Sequence, residues 1–435
     1  MTAEICLINK MGIALAADSA VTIGGGNKIY NSANKLFALS KYQPVGVMIY
    51  GNANFLRVPW ETIIKLYREK LGKKEFERLE EYYNDFKSFL EENEYEELTS
   101  TKEEERYNLA VIEQILSNQY DDLMRTVKSF LDEHSEILQE NLHDITADLF
   151  KERIKKVLRV LDNRDYIGEF SSQQHKFLSE KYDDHIIHII EHYFNEINVY
   201  SEQYEDLKEI VKQLLLKEFS KHSSGLVIAG FGRKDIYPVM IAHTFDGKIA
   251  NMIKVSKTAQ SEIGEKSDAG IYPFAQSEMV HSFLEGIDPE MKSLSDNYLH
   301  QTFHEISDIF INQLEDALKE GINKEDLELS IKSEFIKVFE RYNETIEGFQ
   351  KREFTDPTLA IVRSLPKGEL AEMAESLVNL TSFRRKASGS LETVGGPIDV
   401  AVITKGDGLV WIKRKYYFDP DRNQHFYTNY FEEEI

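Results

Sequence analysis

Short apolar runs alternate along this chain with long stretches of helical periodicity. Ile5–Ile8, Ile13–Ala17 and Val45–Tyr50 predict strands covered on at least one face. From Pro59 the texture changes. Residues 60–222 hold almost no Gly or Pro, and apolar side chains recur at helical spacing at Ile112, Ile115, Leu123, Val127 and Leu131. Ile186, Ile189, Ile190 and Phe194 continue the pattern, which predicts several amphipathic helices. Strands return over Gly225–Phe231, Tyr237–Thr244 and Ile249–Val255. Pro273-Phe274-Ala275-Gln276 predicts the opening of another helix, because Pro is tolerated in a first turn. Residues 290–350 repeat the helical texture around Gly321, and Lys367–Thr381 is rich in strong helix formers. The last strands are expected at 397–404 and 409–417, joined by Lys405-Gly406-Asp407-Gly408. No fixed-period repeat emerges, so a solenoid is unsupported.

Strands, helices, strands, helices, strands is the order of an α+β protein. At 435 residues the chain can bury a sizeable core in one or two domains. The net charge of −23, from 75 acidic against 52 basic residues, argues against nucleic-acid binding, which needs a basic footprint. It suits a soluble assembly or docking to a basic partner. The single Cys6 excludes an internal disulfide framework, fits a reducing cytosol, and reads as a buried strand residue in Ile5-Cys6-Leu7-Ile8. No basic segment followed by an apolar one opens the chain, and no apolar run approaches the about 20 residues that span a bilayer. The expectation is a cytoplasmic protein that binds no membrane.

Candidate chemistry starts at Thr2, which follows Met1. Methionine aminopeptidases remove Met before side chains of this size, so the mature chain is expected to begin at an exposed, reactive Thr2. Such a residue carries a hydroxyl nucleophile and its own amine base. After it come Gly12-Ile13-Ala14-Leu15-Ala16-Ala17-Asp18-Ser19, then Thr22, Asn34-Lys35-Leu36-Phe37 and Val45-Gly46-Val47-Met48-Ile49-Tyr50-Gly51-Asn52-Ala53. In this order and spacing the stretch resembles the β-type subunits of the proteasome and the simpler bacterial ATP-dependent peptidase of the same fold. The separation of Thr2 from Asp18 matches the family, and a loop lengthened by Gly24-Gly25-Gly26 accounts for a late Lys35 and Gly51. Ser224 to Gly232 resembles the first strand of the family's second sheet, and Gly395 to Thr404 with Gly406-Asp407-Gly408 its last hairpin. The similarity covers about half of the chain.

The resemblance implies a four-layer αββα sandwich of the N-terminal nucleophile (Ntn) hydrolase type. Residues 2–58, 224–289 and 356–435 would form this core. Residues 59–223 and 290–355 would be insertions, packed together as a large all-helical subdomain that serves as a lid, a docking surface or an oligomer contact. Thr2 would attack an amide carbonyl, with its α-amine as the base. Lys35 would keep that amine neutral, since a nearby ammonium disfavours its protonation. Asp18 would hold Lys35 charged and in place, and the Gly51 N–H would stabilise the oxyanion. Thr22 matches a position that contacts substrate backbone. Val21, Ala33, Ile49 and Ala53 match the pocket for the residue before the cut, and all four are apolar.

Taken singly, these residues have plainer readings. Asp18-Ser19 is a turn signal, Lys35 competes with Lys28, and Gly51 could be a turn glycine. The sequence also departs from the family. The Asp and Ser that support the amine before the late Gly-Gly are replaced by Ser390-Leu391-Glu392-Thr393-Val394, with Val394 in the serine position. Ser267 is the nearest candidate for the serine that precedes a central helix. His185, His188 and His192 share one helical face, but no second segment supplies a further ligand and the register of helical zinc peptidases is absent, so no metal is expected. No phosphate loop follows Gly24-Gly25-Gly26, so no nucleotide or other cofactor is expected, and energy-dependent unfolding would come from a separate ATPase or adaptor. Two functions follow. One is a homo-oligomeric threonine peptidase acting on peptide or protein substrates through an acyl-enzyme on Thr2. The other is a non-catalytic scaffold or partner-binding subunit with the same fold.

Overall fold

The computed structural model describes residues 2–23, 28–92, 100–134, 142–195, 201–264, 267–315, 324–387 and 394–425. The chain opens with strands β1 (Ala3–Asn9), β2 (Gly12–Ala17), β3 (Val21–Ile23), β4 (Lys28–Tyr30), β5 (Leu36–Ala38), β6 (Val45–Gly51), β7 (Asn54–Phe55) and β8 (Val58–Pro59). Helices α1 (Trp60–Leu71), α2 (Leu79–Glu91), α3 (Thr101–Glu133), α4 (Leu142–Asp162), α5 (Ser172–Phe194) and α6 (Ser201–Lys217) follow. Strands resume as β9 (Ser224–Gly230), β10 (Val239–Ile249), β11 (Met252–Glu262) and β12 (Ala269–Ala275). Helices α7 (Glu278–Glu285), α8 (Pro289–Glu315), α9 (Lys324–Gln350), α10 (Asp356–Ser364) and α11 (Lys367–Ala387) precede the hairpin β13 (Asp399–Thr404) and β14 (Gly408–Lys413). The protein is thus of mixed α+β class with antiparallel sheets.

The chain divides into two compact units. The first comprises Met1–Leu36, Ile236–Pro238 and Glu262–Ile435. Its sheet runs β12-β1-β2-β13-β14, and each neighbouring pair is antiparallel. Strand alternation sends Ala3, Ile5, Leu7, Ala14, Ala16, Val400 and Val402 to one face, where they pack against Val280 of α7 and Leu370, Ala374, Leu377 and Val378 of α11. The small side chains of β2, Ala14 and Ala16, meet Ala371 and Ala374, which lets α11 lie close to the sheet. Gly12 is similarly constrained, because a Cβ there would lie 2.6 Å from the Ile403 carbonyl oxygen of β13. Alternation places Thr2, Glu4 and Cys6 on the opposite face.

Pro273 lies in a strand, not at a helix start. It sits opposite Ile5 in β12, which is an edge strand. An edge needs only part of its backbone donors for the ladder, so the missing N–H is tolerated there. The helix begins later, at Glu278.

The second unit comprises Phe37–Asp235 and Val239–Ser261. Its sheet runs β11-β10-β9-β6-β5, with β9 antiparallel to both β6 and β10. Val45, Val47, Ile49, Leu226, Ile228 and Ile241 form a core with Trp60, Ile63 and Tyr67 of α1 and Tyr82 and Phe86 of α2. Helices α3 to α6 build a separate apolar core from Ile112, Leu116, Phe150, Tyr182, Ile186, Ile190, Phe194 and Val211. The Glu104 carboxylate of α3 accepts the backbone N–H groups of Ala250 (2.9 Å) and Asn251 (3.1 Å), both at positive φ in the tight β10–β11 turn. Helices α1 to α6 belong to the second unit and α7 to α11 to the first, where α7, α10 and α11 supply the residues packed on the sheet. Gly24–Gly26 and Gly321 lie outside the described residues.

Candidate active site

The register of β1 against β2 sets Glu4 beside Ala17, so the residue after β2, Asp18, arrives at the N-terminal end of β1. The Asp18 N–H donates to the Ala3 carbonyl (3.1 Å), and the Ala3 N–H donates back to Asp18 Oδ1 (3.1 Å). Asp18 Oδ2 accepts from the N–H groups of Ala20 (3.2 Å) and Gly395 (2.9 Å). Lys35 Nζ donates to Asp18 Oδ1 and to the Ala20 carbonyl, both at 2.6 Å. The Asp18 carboxylate therefore receives four donors on two oxygens. Both partners are buried, and burial draws the Lys35 ammonium below its usual range while Asp18 and Glu4 hold it up.

The loop before β13 is tied to the same corner. Ser19 N–H donates to the Gly395 carbonyl (3.1 Å), and Ser19 Oγ donates to the Pro397 carbonyl. Gly396 has φ 77°, and a Cβ there would lie 2.8 Å from Asn31 Cβ, so this corner accepts only glycine.

In the chain that still carries Met1, Thr2 is 4% exposed. Its strand lies between β12 and β2, and its carbonyl accepts the Gln276 N–H (2.9 Å). Thr2 Oγ1 faces Glu4 Oε1 at 3.5 Å. Glu4 is 1% exposed, and its Oε2 has no hydrogen-bond partner among the described residues. Burial drives its carboxyl well above the usual carboxylate range; the Lys35 charge draws it back and Asp18 pushes it up again. Sequence reasoning passes over Glu4. The available signal is one acidic residue inside the otherwise apolar run Ala3-Glu4-Ile5-Cys6-Leu7-Ile8.

The structure therefore brings Thr2, Asp18, Lys35 and Glu4 into one cluster in the first unit. It is Lys35 whose ammonium meets Asp18; Lys28 lies in β4, its backbone paired with Ile23. Gly51 ends β6 in the second unit with φ 79°, opposite Ser224. Of the expected pocket residues, Val21 is half-buried in β3 and Ala33 donates its N–H to the Ser19 carbonyl (3.1 Å). Thr22 is paired with Ile29. Ile49 is buried in the core of the second unit, and Ala53 is exposed there.

Ser267 is not before a helix. It precedes β12, and its hydroxyl donates to the Ala269 carbonyl (3.2 Å) two residues on, as loop serines commonly do. Val394 packs into the helix-facing apolar core and offers the amine no polar side chain; Ser390–Thr393 lie outside the described residues. Cys6 is fully buried and burial pushes its thiol up, so it is a poor nucleophile. His185, His188 and His192 are exposed along α5, and among the described residues no group of three or more His, Cys, Asp or Glu is placed to hold a metal. Among the described residues, no helix is long and apolar enough to cross a membrane. No family model matches the chain, and no match is found among curated proteins.

Proposed function

We propose that this chain is an N-terminal-threonine hydrolase that cleaves peptide or other amide bonds through an acyl-enzyme on Thr2. The observation that supports it best is the cluster itself: Lys35 and Asp18, joined at 2.6 Å, sit in one buried corner with the Thr2 strand end. After loss of Met1, Thr2 Oγ attacks the substrate carbonyl and gives up its proton to a base, which the resemblance identifies as the Thr2 α-amine. The leaving amine departs with a proton, and water then hydrolyses the threonyl ester. Gly51 enters the proposal by resemblance alone. The four-layer Ntn sandwich, a homo-oligomeric state, a separate ATPase or adaptor and a cytoplasmic location belong to the same reading.

A competing reading, a non-catalytic scaffold or partner-binding subunit, is favoured by the 4% exposure of Thr2 and the apolar Val394. Intact mass spectrometry of the purified chain, before and after treatment with a threonine-directed electrophile, separates the two. The hydrolase reading expects a mass without Met1 and one adduct at Thr2 that Thr2→Ala abolishes. Retained Met1 with no adduct favours the scaffold.

A further inference from the structure

We propose that Glu4 is the general base of this site: its carboxylate takes the Thr2 Oγ proton as the hydroxyl attacks, and returns it to the leaving nitrogen. This rests on the reading of Thr2 as nucleophile and reassigns one step of it, from the α-amine to a side chain.

Geometry makes the case. Glu4 Oε1 is the hydrogen-bond partner of Thr2 Oγ1, at 3.5 Å. That is longer than an ordinary hydroxyl–carboxylate bond, and catalytic pairs without substrate are often loose in this way. The other oxygen of the same carboxyl is buried and unpartnered among the described residues. A polar atom left in that state is costly, and such sites concentrate where chemistry needs them.

The neighbouring groups are already committed. Asp18 receives four donors, so neither of its oxygens is free to take a proton from Thr2. Lys35 Nζ donates to both Asp18 and the Ala20 carbonyl. Asp399 is occupied by the backbone N–H (2.8 Å) and the ammonium of Lys415. Val394 is packed in the apolar core and offers no polar side chain.

The environment also suits proton exchange. Burial that raises this carboxyl makes its ionised form a stronger base toward the Thr2 hydroxyl and lets its protonated form pass the proton on to the leaving nitrogen. The step balances. The Oγ–C bond forms as the Oγ–H proton moves to Glu4, and the C–N bond breaks as that proton passes to nitrogen. Water then attacks the ester, gives its proton to Glu4, and the proton returns to Thr2 Oγ as the C–O bond breaks.

The test uses the full-length protein and a peptidyl β-lactone, which acylates a hydroxyl directly. The rate of the Thr2 adduct is followed by intact mass from acid to mildly alkaline pH. Glu4→Gln, nearly isosteric, is expected to slow acylation by about 10²–10⁴-fold and to erase the acid limb of the profile, while Glu4→Asp restores part of the rate. Should Glu4→Gln not fold, the wild-type protein with its α-amine acetylated, which removes the basicity of that nitrogen, gives the same decision: an unchanged rate supports Glu4, and collapse to background overturns it. Equal rates and equal profiles for Glu4→Gln and wild type also overturn the proposal while leaving Thr2 a nucleophile. A wild type that forms no adduct at Thr2 overturns both readings.

Discussion

Each unit buries a lysine–aspartate pair, and the two pairs are finished differently. In the second unit Lys254 and Asp246 lie 3.0 Å apart. Asp246 also accepts from the Ser220 N–H (2.7 Å), the Ser220 hydroxyl (2.6 Å) and the Tyr107 hydroxyl, and Lys254 donates to the Glu218 carbonyl. That network closes on itself and pins helix α3 and the loop after α6 to β10. In the first unit Asp18 and Lys35 are equally well satisfied, but a third ionisable group, Glu4, stands beside them with an oxygen that has no partner among the described residues. A closed buried network holds structure in place. A closed network with an open carboxyl against a hydroxyl has a group left over for chemistry.

The largest expected effect separates the corners outright. Thr2→Ala removes the nucleophile, so covalent labelling should fall to background while the melting temperature stays near that of the wild type. Tyr107→Phe at the other corner should leave labelling intact and lower stability by about 1.5–3 kcal/mol, the worth of a hydrogen bond to a charged carboxylate. Labelling that survives Thr2→Ala would make the two corners equivalent.

Breaking each pair comes next. Lys35→Met and Lys254→Met each strand a buried carboxylate, and each should cost about 3–5 kcal/mol in urea unfolding. Only Lys35→Met is expected to reduce the acylation rate per folded molecule. Equal rate losses in both variants would show that the loss is structural.

Opposite pH dependences should sharpen the contrast. The Glu4 carboxyl is held above its ordinary value of 4.5, so the folded chain binds a proton that the unfolded chain has released. Stability from this group is present below that value and is lost as pH rises through the folded pKa. Burial opposes ionisation of Asp246, but the Lys254 charge and the bonds from Ser220 and Tyr107 outweigh it, so its carboxyl lies below the ordinary 3.8. Its stability is present above that value and is lost as pH falls through the folded pKa. Glu4→Gln should therefore flatten the alkaline side of the stability profile, and Asp246→Asn the acid side, in pH-dependent urea midpoints.

The helices were the most legible feature of the sequence, because burial repeats at a helical period in long Gly- and Pro-poor stretches: Ile186, Ile190 and Phe194 are buried as their spacing predicts. Asp18 and Lys35 were legible as a pair only through the family resemblance, because neither local run says which segment it meets. Pro273 misled, since its place on a sheet edge is a property of topology and not of the local run. Glu4 was invisible for a related reason: an alternating strand with one acidic residue reads as half-exposed, and only the assembled structure makes it buried. The division of the helices between two units was equally hidden, because periodicity marks an apolar face without naming what covers it.

The smallest effect belongs far from either pair in sequence, at the start of α5. Ser171 caps that helix: its hydroxyl accepts the Gln173 N–H (3.3 Å), while Gln174 Oε1 reaches back to the Ser171 N–H (3.0 Å). Ser171→Ala leaves first-turn donors of α5 without this acceptor and should cost about 0.5–2 kcal/mol. The helix supplies Tyr182, Ile186, Ile190 and Phe194 to the bundle core, so the loss should appear in the urea midpoint of the second unit. The rate and pH profile of Thr2 acylation should not move. A shift in that profile would mean that the chemistry of the first unit senses a helix cap in the second, and the two corners could no longer be treated as separate devices.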